Sequence, residues 1–348
     1  MKIAMTSLYL PSSSKIGVGW MAHRLANALT VAGQDVTMFS PAAKTGDALY
    51  EHRQLEQRGR LRSFRWGLAM RHIDLSGFDA LLAQGDDHFV RRHAVPVHIR
   101  TMHGSCFDEA RHQSSFRGRV RMIALGLTEV VSAVRTPIVV GVSKNSIRFY
   151  PWLNRVIPNG VDTSVFGVCD GNRPKQEKEA VPTILFVGTY DSRKRGRLLV
   201  ETFTNYVRPR VPDAQLWMVC TDAPESPGVS VLGRIDDADL ADRYRRAWVF
   251  CLPSTYEGFG VPYIEALLSG TAVVATWNQG SREVLEGGRL GRLASDEDLG
   301  RALVELLVDD DVRATLEKDG PSQRERYDFA TVAKSYVTLI ESEVASHG

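Results

Sequence analysis

Along this chain, short apolar runs alternate with segments of helical spacing in two successive series, and this repetition restricts the fold more than any other feature. In the first series, residues 2–7, 35–39, 80–83, 97–101, 138–142 and 155–157 read as strands, with helices over 20–31 and 143–150. In the second, 183–187, 215–220, 229–232, 249–252 and 272–275 read as strands and 194–206 and 239–247 as helices. Three helical segments, 297–307, 312–326 and 330–344, close the chain without a further strand. Strand–helix alternation of this kind predicts α/β domains built on doubly wound parallel sheets. The polar, Gly/Pro-bearing stretch 167–180 reads as a linker between domains 1–166 and 181–328, and 329–348 as a helix returning to the first domain.

Length agrees, since 348 residues is about twice the roughly 150 expected of one domain. Charge divides at the same place. Residues 1–166 hold 21 Lys and Arg against 12 Asp and Glu, whereas 167–348 hold 22 against 29, so a net +2 conceals a basic and an acidic half. The basic half favours an anionic partner. With 43% hydrophobic and 24% charged residues, disorder is excluded. The four cysteines, Cys106, Cys169, Cys220 and Cys251, form no CxxC pair, which argues against a zinc ribbon, a redox motif or a disulfide framework and for a reducing cytoplasm. The opening MKIAMTSLYLPSSS is too weakly apolar for a secretory signal and reads as a first strand. The best spanning candidate, 122–134, contains Glu129, so the chain is not expected to cross a membrane.

Two glycine-bearing segments invite a chemical reading. Gly17-Val18-Gly19-Trp20-Met21-Ala22 fits GxGxxA ahead of a helix. Its first glycine falls well beyond the strand, and the second strand ends in Ser40 where a dinucleotide site wants an acid, so NAD is disfavoured. Backbone amides at Gly17 and Gly19 still suit phosphate or sugar oxygens. The second segment, PSTYEGFGVPYIEA over 253–266, sets Glu257 and Glu265 eight apart. Spacing alone decides nothing, because Glu297/Glu305 and Glu317/Glu325 repeat it inside surface helices. Context does: only the first pair spans a strand end, a glycine-bracketed loop and a helix opened by Pro262. Both carboxylates then fall at the carboxyl edge of a parallel strand, where open α/β sheets bind ligands.

This segment resembles, nearly letter for letter, the EGFGxPxxEA motif of the retaining family 4 glycosyltransferases, two Rossmann-like domains facing across a cleft in the GT-B architecture. Supporting segments are Val156-Ile-Pro-Asn-Gly-Val-Asp162, Phe186-Val-Gly-Thr-Tyr-Asp-Ser-Arg-Lys194 and Thr101-Met-His-Gly104. The resemblance implies transfer of a sugar from a nucleoside diphosphate sugar to an acceptor hydroxyl with retained configuration, the departing phosphate oxygen taking the acceptor proton. It implies Glu257 at the sugar, Glu265 on the ribose hydroxyls and Lys194 on the diphosphate. Further donor contacts would come from Gly188, from Gly258, Phe259, Gly260 and Val261, and from His103. The base, uridine, guanosine or deoxythymidine, would lie near Gly233-Arg234-Ile235. No metal and no cofactor beyond the co-substrate are expected. Where many members carry arginine after the phosphate-loop glycine, this chain has Thr189, and Arg193 or Arg195 is expected to replace it.

The acceptor, a glycan, lipid or natural-product aglycone, is left open. So are an epimerase or phosphorylase on the same architecture and a non-catalytic sugar-nucleotide binder. Of the acidic pairs, Asp309 to Asp311 joins two helices, and Asp86/Asp87 reads as a solvated or acceptor-facing loop rather than a metal site. Six arginines between Arg53 and Arg71, with Phe64 and Trp66 among them, read as a solvated loop and helix. They leave peripheral membrane contact open, and nucleic acid is not expected.

Overall fold

A computed structural model describes residues 1–12, 17–55, 62–85, 87–91, 94–113, 115–168 and 177–347, with the side chains of 62, 63 and 347 excepted. The chain divides into two compact units, Met1–Gly160 with Asp328–Gly348, and Val161–Tyr327.

The first unit runs β1 (Lys2–Thr6), α1 (Gly17–Val31), β2 (Asp35–Ser40), β3 (Glu51–Gln54), α2 (Arg62–Ala69), β4 (Ala80–Ala83), β5 (Val97–Met102), α3 (Cys106–Arg111), α4 (Phe116–Arg135) and β6 (Ile138–Gly141). Its sheet has the order β3-β2-β1-β4-β5-β6, and every pairing is parallel. Alternate residues of these strands bury themselves on opposite faces, as a two-residue side-chain period requires. Ile3, Met5, Val36, Met38 and Ile99 pack against Ala22, Leu25 and Leu29 of α1. Ala4, Phe39 and Leu81 turn the other way, onto Trp66 of α2 and Met70.

The second unit runs α5 (Thr163–Phe166), β7 (Thr183–Val187), α6 (Gly196–Thr202), β8 (Gln215–Val219), β9 (Val229–Val231), α7 (Asp237–Arg246), β10 (Val249–Leu252), α8 (Val261–Leu268), β11 (Ala272–Thr276), α9 (Gln279–Val284), β12 (Arg292–Ala294), α10 (Leu299–Val308), α11 (Asp310–Asp319) and α12 (Arg324–Tyr327). Its order, β12-β11-β10-β7-β8-β9, is again all parallel. In each unit the first and fourth strands are neighbours and the chain winds outward in both directions from them, the doubly wound Rossmann-like order. The last helix, α13 (Phe329–His347), belongs to the first unit, where Val332, Ala333, Tyr336 and Ile340 enter the core against β1, β5 and α1.

Several expectations change. The division falls at Gly160/Val161 rather than after Phe166, because Phe166 is buried with an edge-on contact to Tyr244. Most of the expected linker lies outside the described residues. Residues 143–150 form turns instead of a helix, since the Ser143 and Ser146 side chains each accept the other's amide. The expected strand 155–157 is one bridge, Gly141 to Val156. The segment 312–326 breaks at Gly320 and Pro321. Trp66 is fully buried rather than solvated. Asp87 is likewise buried, paired with Arg100 and His98 and accepting from Thr136, while Asp86 lies outside the described residues. Asp309 caps α11 by accepting the Val312 amide.

Candidate active site

The carboxyl ends of β7 and β10, the neighbouring strands at which the second sheet reverses its winding, carry the two sequence segments singled out above. After β7 the chain turns through Gly188 to Lys194. A Cβ on Gly188 would lie 2.9 Å from the Phe186 ring and 3.0 Å from Lys194, so only glycine lets the loop fold this closely. After β10, residues 253–260 loop into α8, entered through Gly260 at φ 96°, a conformation that favours glycine, with Pro262 in the first turn.

The two loops meet at Glu257. Its Oε1 accepts from Lys194 Nζ at 2.6 Å, Arg193 Nη1 at 3.0 Å and Ser254 Oγ at 2.6 Å. Oε2 takes no donor among the described residues. Glu257 is 5% exposed, and burial would push its carboxyl up, yet Lys194 and Arg193 more than reverse this and hold it below the usual carboxylate range. Burial also draws Lys194 below the ordinary lysine range against the pull of Glu257. A largely buried lysine and a half-exposed arginine therefore stand together at the switch point, balanced by one carboxylate.

Other donors are committed elsewhere. Arg195, in left-handed backbone at φ 55°, places both arms of its fork on Asp296 at 2.6 and 2.7 Å and its Nε on the Pro253 carbonyl. Of the two candidate replacements for the missing arginine, Arg193 is the one beside Lys194. Thr189 is exposed and bonded to Ser192. Glu265 lies buried on α8 and accepts from the Tyr244 hydroxyl at 3.2 Å. The Gly258–Val261 stretch borders Glu257 in sequence, and Phe259 packs edge-on against Tyr327. Gly233, Arg234 and Ile235 follow β9, the edge strand, ahead of Asp236, which caps α7.

Gly17, Gly19 and His103 belong to the first unit. Gly17 opens α1, and a Cβ on Gly19 would strike the Tyr9 backbone at 2.9 Å, so that glycine is needed for packing. His103 follows β5 and donates Nε2–H to Gln84 Oε1 at 2.7 Å. Burial and the nearby Arg100 bring its pKa down to about 4, so the ring is neutral near pH 7.

Sequence reasoning missed the support beneath Glu257. The carbonyl of Ser254 accepts from Thr276 Oγ1 at 2.9 Å and Asn278 Nδ2 at 3.0 Å. Asn278 also caps α9 in a reciprocal box with Ser281. A Cβ on Gly280 would lie 2.7 Å from the Glu257 carbonyl, so α9 begins directly against that loop. The run TWNQGS holds a legible helix-start signal, asparagine three residues before a hydroxyl, but nothing in it names the loop it supports.

Residues 181–309 match the family model of glycosyl transferases group 1. The matched stretch lies wholly within the second unit, which resembles a group 1 glycosyl transferase domain. Among curated proteins, the phosphatidyl-myo-inositol mannosyltransferase of Mycobacterium tuberculosis is 34% identical over 210 residues, 55% of this chain and 54% of the relative. The D-inositol 3-phosphate glycosyltransferase of Corynebacterium urealyticum is 36% identical over 107 residues, 30% and 25% of the two chains. This chain thus spans about half the length of its curated relatives. Among solved structures, sucrose-phosphate synthase from Thermosynechococcus elongatus superposes with TM-score 0.78 at 20% identity, covering 99% of both chains. Anabaena HepE, solved with UDP and glucose, gives 0.73 at 15% identity over 98% of this chain and 100% of that one. At those identities the structural matches establish the two-domain α/β fold.

Proposed function

We propose that the chain transfers a sugar from a nucleoside diphosphate sugar to an acceptor hydroxyl with retained anomeric configuration and without a metal. The observation that carries this reading is the convergence of Lys194, Arg193 and Ser254 on Glu257 at the switch point of a group 1 domain. Breaking the bond between the anomeric carbon and phosphate oxygen leaves negative charge on the diphosphate, and Lys194 and Arg193 are placed to take it. The acceptor oxygen bonds to the same face of the carbon, and its proton passes to the departing phosphate oxygen, so no protein nucleophile is required. Glu257, with Oε2 unengaged, faces the sugar hydroxyls. Glu265, steadied by Tyr244, takes the ribose. Thermal unfolding with UDP-glucose and GDP-mannose identifies the donor, because a ligand of the folded state raises the midpoint. Anomer analysis of the transferred sugar, with chelator present, then tests the rest: an inverted product or a strict Mg²⁺ requirement overturns the reading. A lipid hydroxyl is the favoured acceptor, because relatives at 34% identity carry the name phosphatidyl-myo-inositol mannosyltransferase.

A further inference from the structure

Among the described residues, only Arg195 at φ 55° and Glu286 at φ 48° hold left-handed backbone without being glycine. Side chains are disfavoured in that region, and such strain persists only where the surroundings enforce it. Glycine would suit position 195. The glycine beside it, Gly196, answers a different need, since a Cβ there would lie 3.0 Å from the Tyr190 Cα. What position 195 gains from arginine is the side chain. Its Nε donates to the Pro253 carbonyl at 2.6 Å, and Nη1 and Nη2 donate to the two oxygens of Asp296 at 2.6 and 2.7 Å. Asp296 lies just past β12, so this one side chain fastens the loop after β7 to the ends of both β10 and β12.

The residue that these bonds steady is Lys194. On its other side the Arg193 carbonyl accepts the Thr255 amide at 2.9 Å, so the residues before and after Lys194 are both tied to the segment that carries Glu257. Between the two ties, the Lys194 amide donates to Ser192 Oγ at 3.1 Å and its Nζ reaches Glu257 at 2.6 Å. Asp296 is half-exposed, and an ion pair in that setting adds little to stability. A planar fork on a carboxylate fixes orientation instead. We propose that Arg195 and Asp296 are a positioning pair, which locks the loop after β7 so that Lys194 presents its ammonium to the departing diphosphate, while Arg195 itself stays off the phosphates. This inference rests on the reading of Lys194 as a diphosphate ligand.

The test combines titration with UDP and GDP, thermal melting, and turnover read as nucleotide release from UDP-glucose or GDP-mannose. All are run at about 0.3 M salt, where a half-exposed charge is largely screened. Arg195→Gly removes every side-chain tie yet suits the backbone, so the melting midpoint should stay close to that of the unaltered chain. Diphosphate affinity should nevertheless fall, and turnover by about tenfold to a hundredfold, the scale of a misplaced catalytic group. Asp296→Asn keeps the shape and leaves Nε on Pro253, and it should lower both in the same direction by a smaller factor. The double variant should be no worse than Arg195→Gly alone, because the halves of one contact do not add. A rise in affinity in Asp296→Asn would overturn the proposal, since the released fork would then be binding phosphate directly. So would a lowered midpoint with binding and turnover untouched, which would leave the pair a brace for the fold. Lys194→Ala separates this inference from the reading beneath it. If it weakens binding while Arg195→Gly and Asp296→Asn do not, the positioning pair alone is refuted; if it changes nothing, or if neither nucleotide binds the unaltered chain, both are.

Discussion

At the scale of single residues, Glu257 and Lys194 are opposite halves of one device. Three donors crowd one carboxylate oxygen, so on the proposed reading the loop that attracts a diphosphate would carry its own counter-charge until the donor arrives. Glu257→Gln removes that charge while keeping an acceptor for the same donors. Isothermal titration should therefore find nucleoside diphosphate affinity unchanged or higher, whereas turnover should fall by about 10²–10³. Equal loss of both would refute the assignment of Glu257 to the sugar. Lys194→Ala should also cost about 10²–10³ in rate, and it should weaken the diphosphate as well. Lys194→Arg should rescue only partly, because a planar fork does not reproduce a compact ammonium. With Arg195 held by Asp296, near-normal transfer by Lys194→Ala would move the clamp to Arg193.

At the scale of elements, α9 supports the site through the residue that caps it. Asn278 does two things at once, capping the helix and tying the Ser254 carbonyl. Asn278→Ala should destabilise the fold by about 1–2 kcal/mol, in the range of a lost cap and a buried hydrogen bond, as read from urea unfolding. Asn278→Ser keeps a cap but cannot span to Ser254. It should recover much of the stability while turnover stays depressed; full recovery of both would mean the tie to Ser254 is idle. Elements differ in how visible they are beforehand. The central strands of both sheets were legible because burial on two faces demands continuous apolar runs such as TILFV and VFCL. The edge strands β3 and β12, with sequences EHRQ and RLA, were not, since an edge needs no such run. Helix α4 escaped as well: Ala133 enters a core with Val130 packed against it, whereas Phe116, Ile123, Leu127 and Val134 are exposed. The Glu257 loop was legible from the glycines and the proline around it, but the Thr276 and Asn278 bonds beneath it depend on parallel pairing of β10 with β11, which no local pattern announces.

At the scale of the whole molecule, the two units share a topology yet differ in how they meet acid. All nine histidines of the sequence fall within Met1–Gly160 and Asp328–Gly348, and the second unit has none. His52, His88 and His103 are all held below the usual histidine value, with burial the largest cause, His103 at about 4. For such groups the unfolded chain takes up the proton first. Their stabilisation is complete above the unfolded value of 6.5 and drains away as pH falls, for His103 between about 6.5 and about 4. At about 1.4 kcal/mol per pH unit, His103 alone contributes at most about 3–4 kcal/mol. The carboxylates Asp87 and Glu257 are held down instead, so their contribution persists until the pH drops below the ordinary carboxylate value of about 4. Between pH 6.5 and 4.5 the first unit should lose stability while the second barely changes. Calorimetry should show one transition moving down by several degrees and another holding, with amide exchange assigning the mobile one to the first unit. His103→Gln should flatten that slope. Transitions that fall together, or a slope unmoved by His103→Gln, would show that the acid response lies elsewhere than in these three imidazoles.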